Sequence, residues 1–236
     1  MKRIHVALII GVLSMVSCKK HEVITMAHTV PEYDTLVLSD VFDVTLIQGT
    51  ENSIKITGSN QFIEDVIWEN KDNTLTFRNN AKRKWLNPKT NKIKLEITVN
   101  GLSKIVANET CTITSMNTLI ADEMGLILKS KLNHAALSVS CNTFYYWNNF
   151  PCGGTVDLQG TCNTLKVWNY ALMQINASDL QATTALIENY SKGDVRVWCT
   201  DTISYKINGN GGIRVKGAPH TLLNLGGTGS GLFTLE

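Results

Sequence analysis

Two nine-residue segments, SCNTFYYWN at 140–148 and TCNTLKVWN at 161–169, repeat each other at a spacing of 21 residues. Five of the nine aligned positions are identical, and they include Cys141 with Cys162 and Trp147 with Trp168. A repeat of about 20 residues is typical of a solenoid, in which each coil buries its apolar side only by stacking on its neighbours. The two segments therefore predict successive coils of one stack.

The same step continues along the chain. Asn and Gly recur at the expected corner, because both accept positive φ values that strain other residues. An amide at this corner of every coil can also hydrogen-bond along the stack. Short strands follow the corners, and two of them, DVRV at 194–197 and GIRV at 212–215, match each other. The recurring corner residues are Asn148, Asn169, Asn189, Asn208 and Gly226.

Composition and alternation predict an all-β chain. Thr, Asn and β-branched residues are plentiful, whereas Pro occurs only four times. A β-sandwich would not keep identical residues at a fixed step, and a propeller blade needs about 40 residues. We therefore predict a parallel β-helix over 33–236, right-handed by the general chirality rule. Residues 33–99 are expected to form irregular first strands, and 101–236 the regular coils.

The N-terminus has the pattern of a secretory signal peptide over residues 1–17. A basic start precedes an apolar run at 6–16, which is too short to span a bilayer as a helix. The segment Met15-Val16-Ser17-Cys18 resembles the lipobox of bacterial lipoproteins. We expect Cys18 to be the lipidated mature N-terminus and membrane anchor, with 18–32 as lipidated residue and tether. The alternative is an ordinary signal peptide followed by a coincidental cysteine.

Charge excludes some classes of partner. Cleavage before Cys18 would leave 219 residues with 20 basic and 20 acidic side chains. This balance argues against nucleic acid, which requires a basic footprint, and against electrostatic capture of anionic lipid. Lys19 is not the Asp that marks inner-membrane retention in the enterobacterial rule. The outer membrane is therefore favoured, and the membrane face stays open.

Five cysteines lie beyond Cys18, and this odd number leaves at least one free thiol per chain. Stacked coils would hold Cys141 and Cys162 about 4.8 Å apart, slightly wider than a disulfide prefers. We therefore expect free thiols that act as small core residues. The spacings of Cys and His fit neither a zinc site nor a catalytic triad, so no metal, cofactor or catalytic residue is predicted.

Three segments carry a family resemblance. VFDVTLIQG at 41–49, INGNGGIRVKG at 207–217 and GTGSG at 227–231 resemble the auto-transporter adhesin head domain family, called the GIN domain. The resemblance covers 34–236, although Asn replaces the usual Gly-Ser-Gly turns between 101 and 191. It implies a β-helix-like fold and an exported protein, often a lipoprotein, of Bacteroidetes-type bacteria. It implies no established activity, and adhesion follows from it as a hypothesis only.

Aromatic residues on adjacent coils form the candidate ligand-binding site. Stacking would place Trp147 about 4.8 Å from Trp168 along the axis. If these side chains face outward, sugar rings or a partner surface could pack on them. The alternative is that one member of each pair belongs to the core, since alternation separates Tyr146 from its neighbours. The candidate residues are Tyr145, Trp147, Trp168, Tyr170 and Tyr190.

A second group of side chains suggests an enzyme. Known β-helix enzymes that act on polysaccharides combine carboxylates with a basic residue, and glycosidic cleavage needs two carboxyl groups about 5–9.5 Å apart. The matched DVRV and GIRV segments would stack Arg196 on Arg214, with carboxylates nearby. The alternative is a solvated polar face. The residues in question are Asp194, Arg196, Asp201 and Arg214.

The leading hypothesis is a membrane-anchored, non-enzymatic binding or adhesion lipoprotein whose partner is a glycan or another envelope protein. A structural envelope protein without a specific ligand is the first alternative, and a polysaccharide-degrading enzyme is the second. The terminal coil at 232–236 would leave an open sheet edge. We expect a second copy of the chain to bind at that end of the solenoid and form a homo-oligomer.

Overall fold

A computed structural model describes residues 22–82, 92–148 and 151–236. Cys18 and the predicted signal peptide lie outside these residues, so both the signal peptide and the lipid anchor stay predictions. Apart from a three-residue 3-10 turn, Ile63–Asp65, the regular elements of the described ranges are strands. The strands are β1 (Val23–Thr29), β2 (Thr35–Leu38), β3 (Phe42–Gln48), β4 (Ser53–Ser59), β5 (Val66–Lys71), β6 (Thr74–Asn79), β7 (Lys94–Val99), β8 (Lys104–Ala107), β9 (Cys111–Ser115), β10 (Leu119–Leu128), β11 (Asn133–Asn148), β12 (Gly153–Asn169), β13 (Leu172–Asn189), β14 (Val195–Ile207), β15 (Ile213–Lys216), β16 (Thr221–Asn224) and β17 (Phe233–Leu235).

These strands form a parallel β-solenoid of about six turns with a spacing of roughly 20 residues. The predicted fold class is therefore confirmed. The repeat also predicted the register correctly, because Cys141 pairs with Cys162 and Trp147 pairs with Trp168 between β11 and β12. Further along the stack, β14 and β15 are paired in parallel over the DVRV and GIRV segments.

Each long coil has three arms, and burial along β13 shows where the chain turns. Side chains alternate strictly between the two faces of a strand, so a one-residue shift in the buried positions marks a bend. The shifts divide β13 into a first arm at 172–177, a middle arm at 180–182 and a last arm at 185–189. The buried residues of these arms are, in order, Met173, Ile175 and Ala177; Leu180 and Ala182; Ala185, Ile187 and Asn189.

The core consists of columns of inward side chains, one from each coil. On the last arms, Leu126, Tyr146, Val167 and Ile187 follow one another in register, and all four are fully buried. Burial of one large apolar side chain contributes about 1.5–3 kcal/mol. Since each member covers the next, no single coil could retain this contribution alone.

A column of buried asparagines closes the corner after the last arms. Asn148, Asn169 and Asn189 are fully buried. Asn169 Nδ2 donates to Asn189 Oδ1 at 3.1 Å, and Asn189 Nδ2 donates to the carbonyl oxygen of Gly211 at 2.9 Å. These bonds join three successive coils. The amides therefore satisfy backbone groups that the turn would otherwise bury without partners.

Chain order and stacking order differ at the N-terminal end. The coil of β2 and β3 lies between the coil of β6 and β7 and the coil of β8 and β9, with parallel pairing on both sides. On the outer side of the coil of β6 and β7, β4 pairs antiparallel with β7, and β5 pairs antiparallel with β6. The expectation of irregular first strands is corrected in part: β2 with β3 and β6 with β7 contribute two coils of the stack, and the antiparallel strands β4 and β5 extend its end.

The expected tether also requires a correction, because β1 is a strand paired antiparallel with β4. Ile24 and His28 alternate with exposed residues, and the His28 ring lies 5.6 Å from the Trp68 ring. Only these two positions of β1 are half-buried, and the other five are exposed. A strand that buries so little needs few apolar residues, so its sequence lacks the alternation of apolar and polar residues that predicts a strand. Its pairing partner lies about thirty residues away, which local pattern cannot reveal.

The five cysteines of the described ranges are free thiols, and four of them are buried. Burial raises the pKa of Cys111 and of Cys162 to about 12, and that of the half-buried Cys141 to about 11. These thiols are protonated at neutral pH and are therefore poor nucleophiles. Their placement fits a packing role.

The C-terminal end of the stack exposes apolar side chains. Phe233 stacks on Tyr205 with a centroid separation of 3.9 Å, but the leucines around it are open to solvent. The homo-oligomer expected through this end stays a prediction. The exposed residues are Leu222, Leu223, Leu225, Leu232 and Leu235.

We predict that Asn189→Ala lowers the free energy of unfolding by about 2–4 kcal/mol, since several buried backbone groups lose their partner at about 1–3 kcal/mol each. Asn163→Ala is the matched control, because Asn163 is exposed and donates to Asn142 at 2.8 Å. Its expected effect is within about 0.5 kcal/mol. Urea unfolding followed by circular dichroism measures both. Equal losses in the two variants would show that the buried column contributes no more than surface amides.

We predict that Tyr146→Phe leaves the protein as stable as the native chain or more stable, by about 1 kcal/mol. The Tyr146 hydroxyl is buried and has no hydrogen-bond partner among the described residues. Removing it therefore removes a desolvation cost while the ring keeps its packing. Tyr145→Phe, at a half-buried position, serves as control, and thermal unfolding is the measurement. A clear loss of stability in Tyr146→Phe would reveal a partner for this hydroxyl.

Candidate ligand-binding surface

Alternation along β11 decides which aromatic side chains face outward. Phe144 and Tyr146 are fully buried, whereas Tyr145 and Trp147 are half-buried on the outer side of the last arm. Tyr146 therefore belongs to the core. Tyr145 and Trp147 share one outer face, as the period of two predicts.

The Tyr145 ring lies across Gly125 of the preceding coil. The two residues are register partners, and a Cβ at Gly125 would overlap the tyrosine ring. Glycine thus provides the space in which the ring rests against the sheet. Burial raises the pKa of the Tyr145 hydroxyl, and the neighbouring Glu123 carboxylate raises it further. The hydroxyl is therefore a neutral donor at physiological pH.

Trp147, Trp168 and Glu188 form one outward column on three successive last arms. Trp168 Nε1 donates to Glu188 Oε1 at 3.3 Å. The hydroxyl of Tyr190 donates to Glu188 Oε2 at 2.7 Å. Glu188 therefore holds an indole and a phenol in fixed positions at the end of the column.

The corner beyond this column presents two stacked tyrosines. The rings of Tyr170 and Tyr190 have centroids 4.7 Å apart and planes 11° from parallel. Asn148 fixes the backbone of Tyr170, because its Oδ1 accepts from the Tyr170 amide at 2.8 Å and its Nδ2 donates to the Tyr170 carbonyl at 2.9 Å. The hydrogen bond to Glu188 is the main reason that the pKa of Tyr190 is raised.

The five candidate residues thus lie on one side of the solenoid, on the last arms and the corner after them. We call Tyr145, Trp147, Trp168, Tyr170 and Tyr190 the aromatic strip. Ile127 and Val106 continue the tryptophan column toward the N-terminal end, in register with Trp147. Sequence reasoning did not find the role of Glu188, although its position one coil step beyond Trp168 was available from the 20-residue spacing.

Three of the four residues weighed for an enzyme lie together, and Asp201 is apart from them. Asp194 and Arg196 line a shallow depression on the first arms, and Arg214 Nη2 contacts Asp194 Oδ2 at 3.3 Å. Asp201 lies elsewhere and contacts His220 at 3.4 Å. The predicted stacking of Arg196 on Arg214 is observed in the register. This arrangement supplies an ion pair on a polar face and separates Asp201 from the other three.

Two further features of the described residues bear on function. Within them, no group of three or more His, Cys, Asp or Glu side chains could hold a metal ion. No helix in these ranges is both long and apolar enough to cross a membrane.

Similar folds occur in solved structures of Bacteroidales proteins. A putative adhesin from Bacteroides fragilis is 21% identical, with a TM-score of 0.81 and coverage of 91% of this chain and 97% of that chain. A putative adhesin from Parabacteroides distasonis is 14% identical, with a TM-score of 0.62 and coverage of 92% and 98%. A putative lipid binding protein from the same species is 16% identical, with a TM-score of 0.64 and coverage of 91% and 96%. At these identities the likeness shows the fold alone.

No protein of curated function matches the sequence. A family model, described as "putative auto-transporter adhesin, head GIN domain", matches residues 32–219. The match covers most of the chain and includes the aromatic strip. The chain therefore belongs to the GIN domain family of auto-transporter adhesin heads.

Proposed function

We propose that this protein is a non-enzymatic recognition module that binds glycan chains through its aromatic strip. The observation that carries the proposal is the chain of contacts that joins Trp168 through Glu188 to Tyr190 and its stacked partner Tyr170. Aromatic side chains combine a large apolar face with a polar tip, which suits a ligand that has both C–H faces and hydroxyl groups. Membership of an adhesin-head family is consistent with this role.

Polar side chains beside the strip would contact the hydroxyl groups of a sugar. Lys166 is the register neighbour of Tyr145, and Lys206 is the register neighbour of Glu188. Coils repeat about every 4.8 Å along the axis, so the strip offers similar contacts at regular intervals. This periodicity favours an extended chain that lies along the solenoid axis over a single compact ligand.

The hydrogen bonds that hold Glu188 and the backbone of Tyr170 in place favour ligand binding over catalysis at this surface. Both oxygens of Glu188 accept hydrogen bonds from the strip itself, and Asn148 fixes the backbone of Tyr170 from beneath. Glycosidic cleavage needs a pair of carboxyl groups, one of which is free to donate a proton. A carboxylate that is held by an indole and a phenol serves better as a positioning group. Fixed aromatic side chains also reduce the entropy cost of binding.

We further propose that the domain is anchored to the outer membrane through lipidated Cys18. The sequence around Cys18 supports this, since a basic, apolar and small-residue pattern ends at the cysteine. Several acyl chains on one residue would give durable anchoring, because each buried methylene contributes about 0.8 kcal/mol. A tethered recognition module would then act close to the envelope surface.

We predict that a Trp147→Ala, Trp168→Ala double variant loses glycan affinity by about 5- to 150-fold, since each aromatic contact is worth roughly 0.5–1.5 kcal/mol. The protein beginning at Lys19 is screened on a glycan array, and hits are measured by titration calorimetry. Trp198→Ala is the matched control, because Trp198 is half-buried and packs with Lys216 outside the strip. It should bind as the native chain does. Thermal unfolding confirms that each variant is folded.

Two outcomes would contradict glycan binding by the strip. Undiminished affinity of the double variant would place the site elsewhere on the domain. Failure of the native protein to retain any glycan, while an envelope-protein pull-down also recovers nothing, would favour the structural role instead.

We predict that Cys18→Ser abolishes incorporation of labelled palmitate and moves the protein from the membrane to the soluble fraction. The serine cannot form the thioether on which the anchor depends. Cys141→Ser is the control, because Cys141 lies on the middle arm of the solenoid. Membrane fractionation of expressing cells measures both variants. Palmitate labelling that survives in Cys18→Ser would exclude Cys18 as the lipidation site.

A further inference from the structure

A shallow groove crosses the first arms of three successive coils. Its volume is about 250 Å³, and the aromatic strip lies on the last arms, so the two surfaces are separate. Three coils span roughly 10 Å, which exceeds the width of one carboxylate and suits a ligand of one or two rings. The polar side chains that line the groove are Thr155, Asp157, Gln174, Asn176, Asp194 and Arg196.

The two arginines beside this groove differ in their partners. Arg214 Nη2 contacts Asp194 Oδ2 at 3.3 Å, and Arg214 Nη1 lies 3.9 Å from Glu236 Oε1. Arg196 is the register neighbour of Arg214, yet no carboxylate of the described chain lies within ion-pair distance of its guanidinium. A guanidinium group is a planar cation with several N–H donors. The groove therefore contains an exposed guanidinium that forms no ion pair within the described chain, beside the carboxylates of Asp157 and Asp194.

Hydrogen bonding in the groove leaves both donors and acceptors available. Asp157 Oδ1 accepts from Asn176 Nδ2 at 3.3 Å, and Asp194 Oδ1 accepts from the Gly212 amide at 2.8 Å. The side chains of Gln174 and Arg196 donate to no residue of the described ranges. Both oxygens of Asp194 are thus engaged, since Oδ2 contacts Arg214, whereas Asp157 Oδ2, the guanidinium of Arg196 and the amide of Gln174 are available. Such a surface is complementary to a ligand that offers an acceptor group to the guanidinium and hydroxyl donors to Asp157.

We propose that this groove binds a sugar unit that carries a carboxylate, such as a uronic acid, with Arg196 as the anion-binding residue. A guanidinium and a carboxylate match in a bidentate geometry that a neutral hydroxyl cannot reproduce. Gln174 donates to ring or hydroxyl oxygens, and Thr155 and Asp157 accept from sugar hydroxyls. The groove lies on different arms from the aromatic strip, so this inference does not rest on glycan binding there.

The experiment uses trigalacturonic acid and its methyl ester as probes. Titration calorimetry on the protein beginning at Lys19 should give measurable affinity for the acid and at least tenfold weaker binding of the ester. Arg196→Gln should weaken binding of the acid at least tenfold and abolish the preference for the acid over the ester. Arg78→Gln, which removes an exposed arginine of β6 at the other end of the stack, should leave both affinities unchanged.

The double variant at Trp147 and Trp168 should bind the acid as the native protein does, which separates this site from the strip. No affinity of the native protein for the acid would overturn the proposal. Equal affinity for acid and ester, or full binding by Arg196→Gln, would also overturn it. Loss of binding in the tryptophan variant would place the acid on the strip and would likewise exclude the groove.

Discussion

Register between neighbouring coils is the constraint on which the other features of this molecule depend. Parallel pairing places each residue about 4.8 Å from its equivalent on the next coil, so every position becomes a column. Inward columns form the core, as with Tyr146 above Val167. The corner column joins coils through buried amides, and outward columns form continuous surfaces. A slip of one residue would exchange inward and outward columns on the whole arm.

The buried amides of the corner column support the aromatic side chains on the surface. Asn148 belongs to the buried corner column, yet its side chain fixes the backbone of Tyr170 on the surface. Asn189 similarly accepts from the Ser191 amide at 3.1 Å, and Tyr190 precedes that residue. The corner that stabilises the stack therefore also orients the stacked tyrosines. Binding surfaces supported in this way lose little entropy when a ligand is bound.

The repeat of 21 residues was sufficient to predict the fold class and the pairing of Trp147 with Trp168, because register is encoded wherever two coils share residues. It could not predict that the coil of β2 and β3 is stacked between two coils formed by later segments of the chain, since that stacking order depends on pairing between distant segments. The strand β1 was missed for the same reason. The contacts of Glu188 and the partner of Arg214 depend on side-chain geometry, which spacing alone does not determine.

A solenoid can carry two different binding chemistries because its arms face in different directions around a common core. The last arms present indole and phenol rings around a single engaged carboxylate. The first arms present amides, hydroxyls, carboxylates and the guanidinium of Arg196, which forms no ion pair within the described chain. A substitution in an outward column changes one surface and leaves the inward columns intact, so each chemistry can change without loss of the fold. Repetition supplies the stability, and the positions at which outward columns depart from the repeat make the two surfaces chemically different.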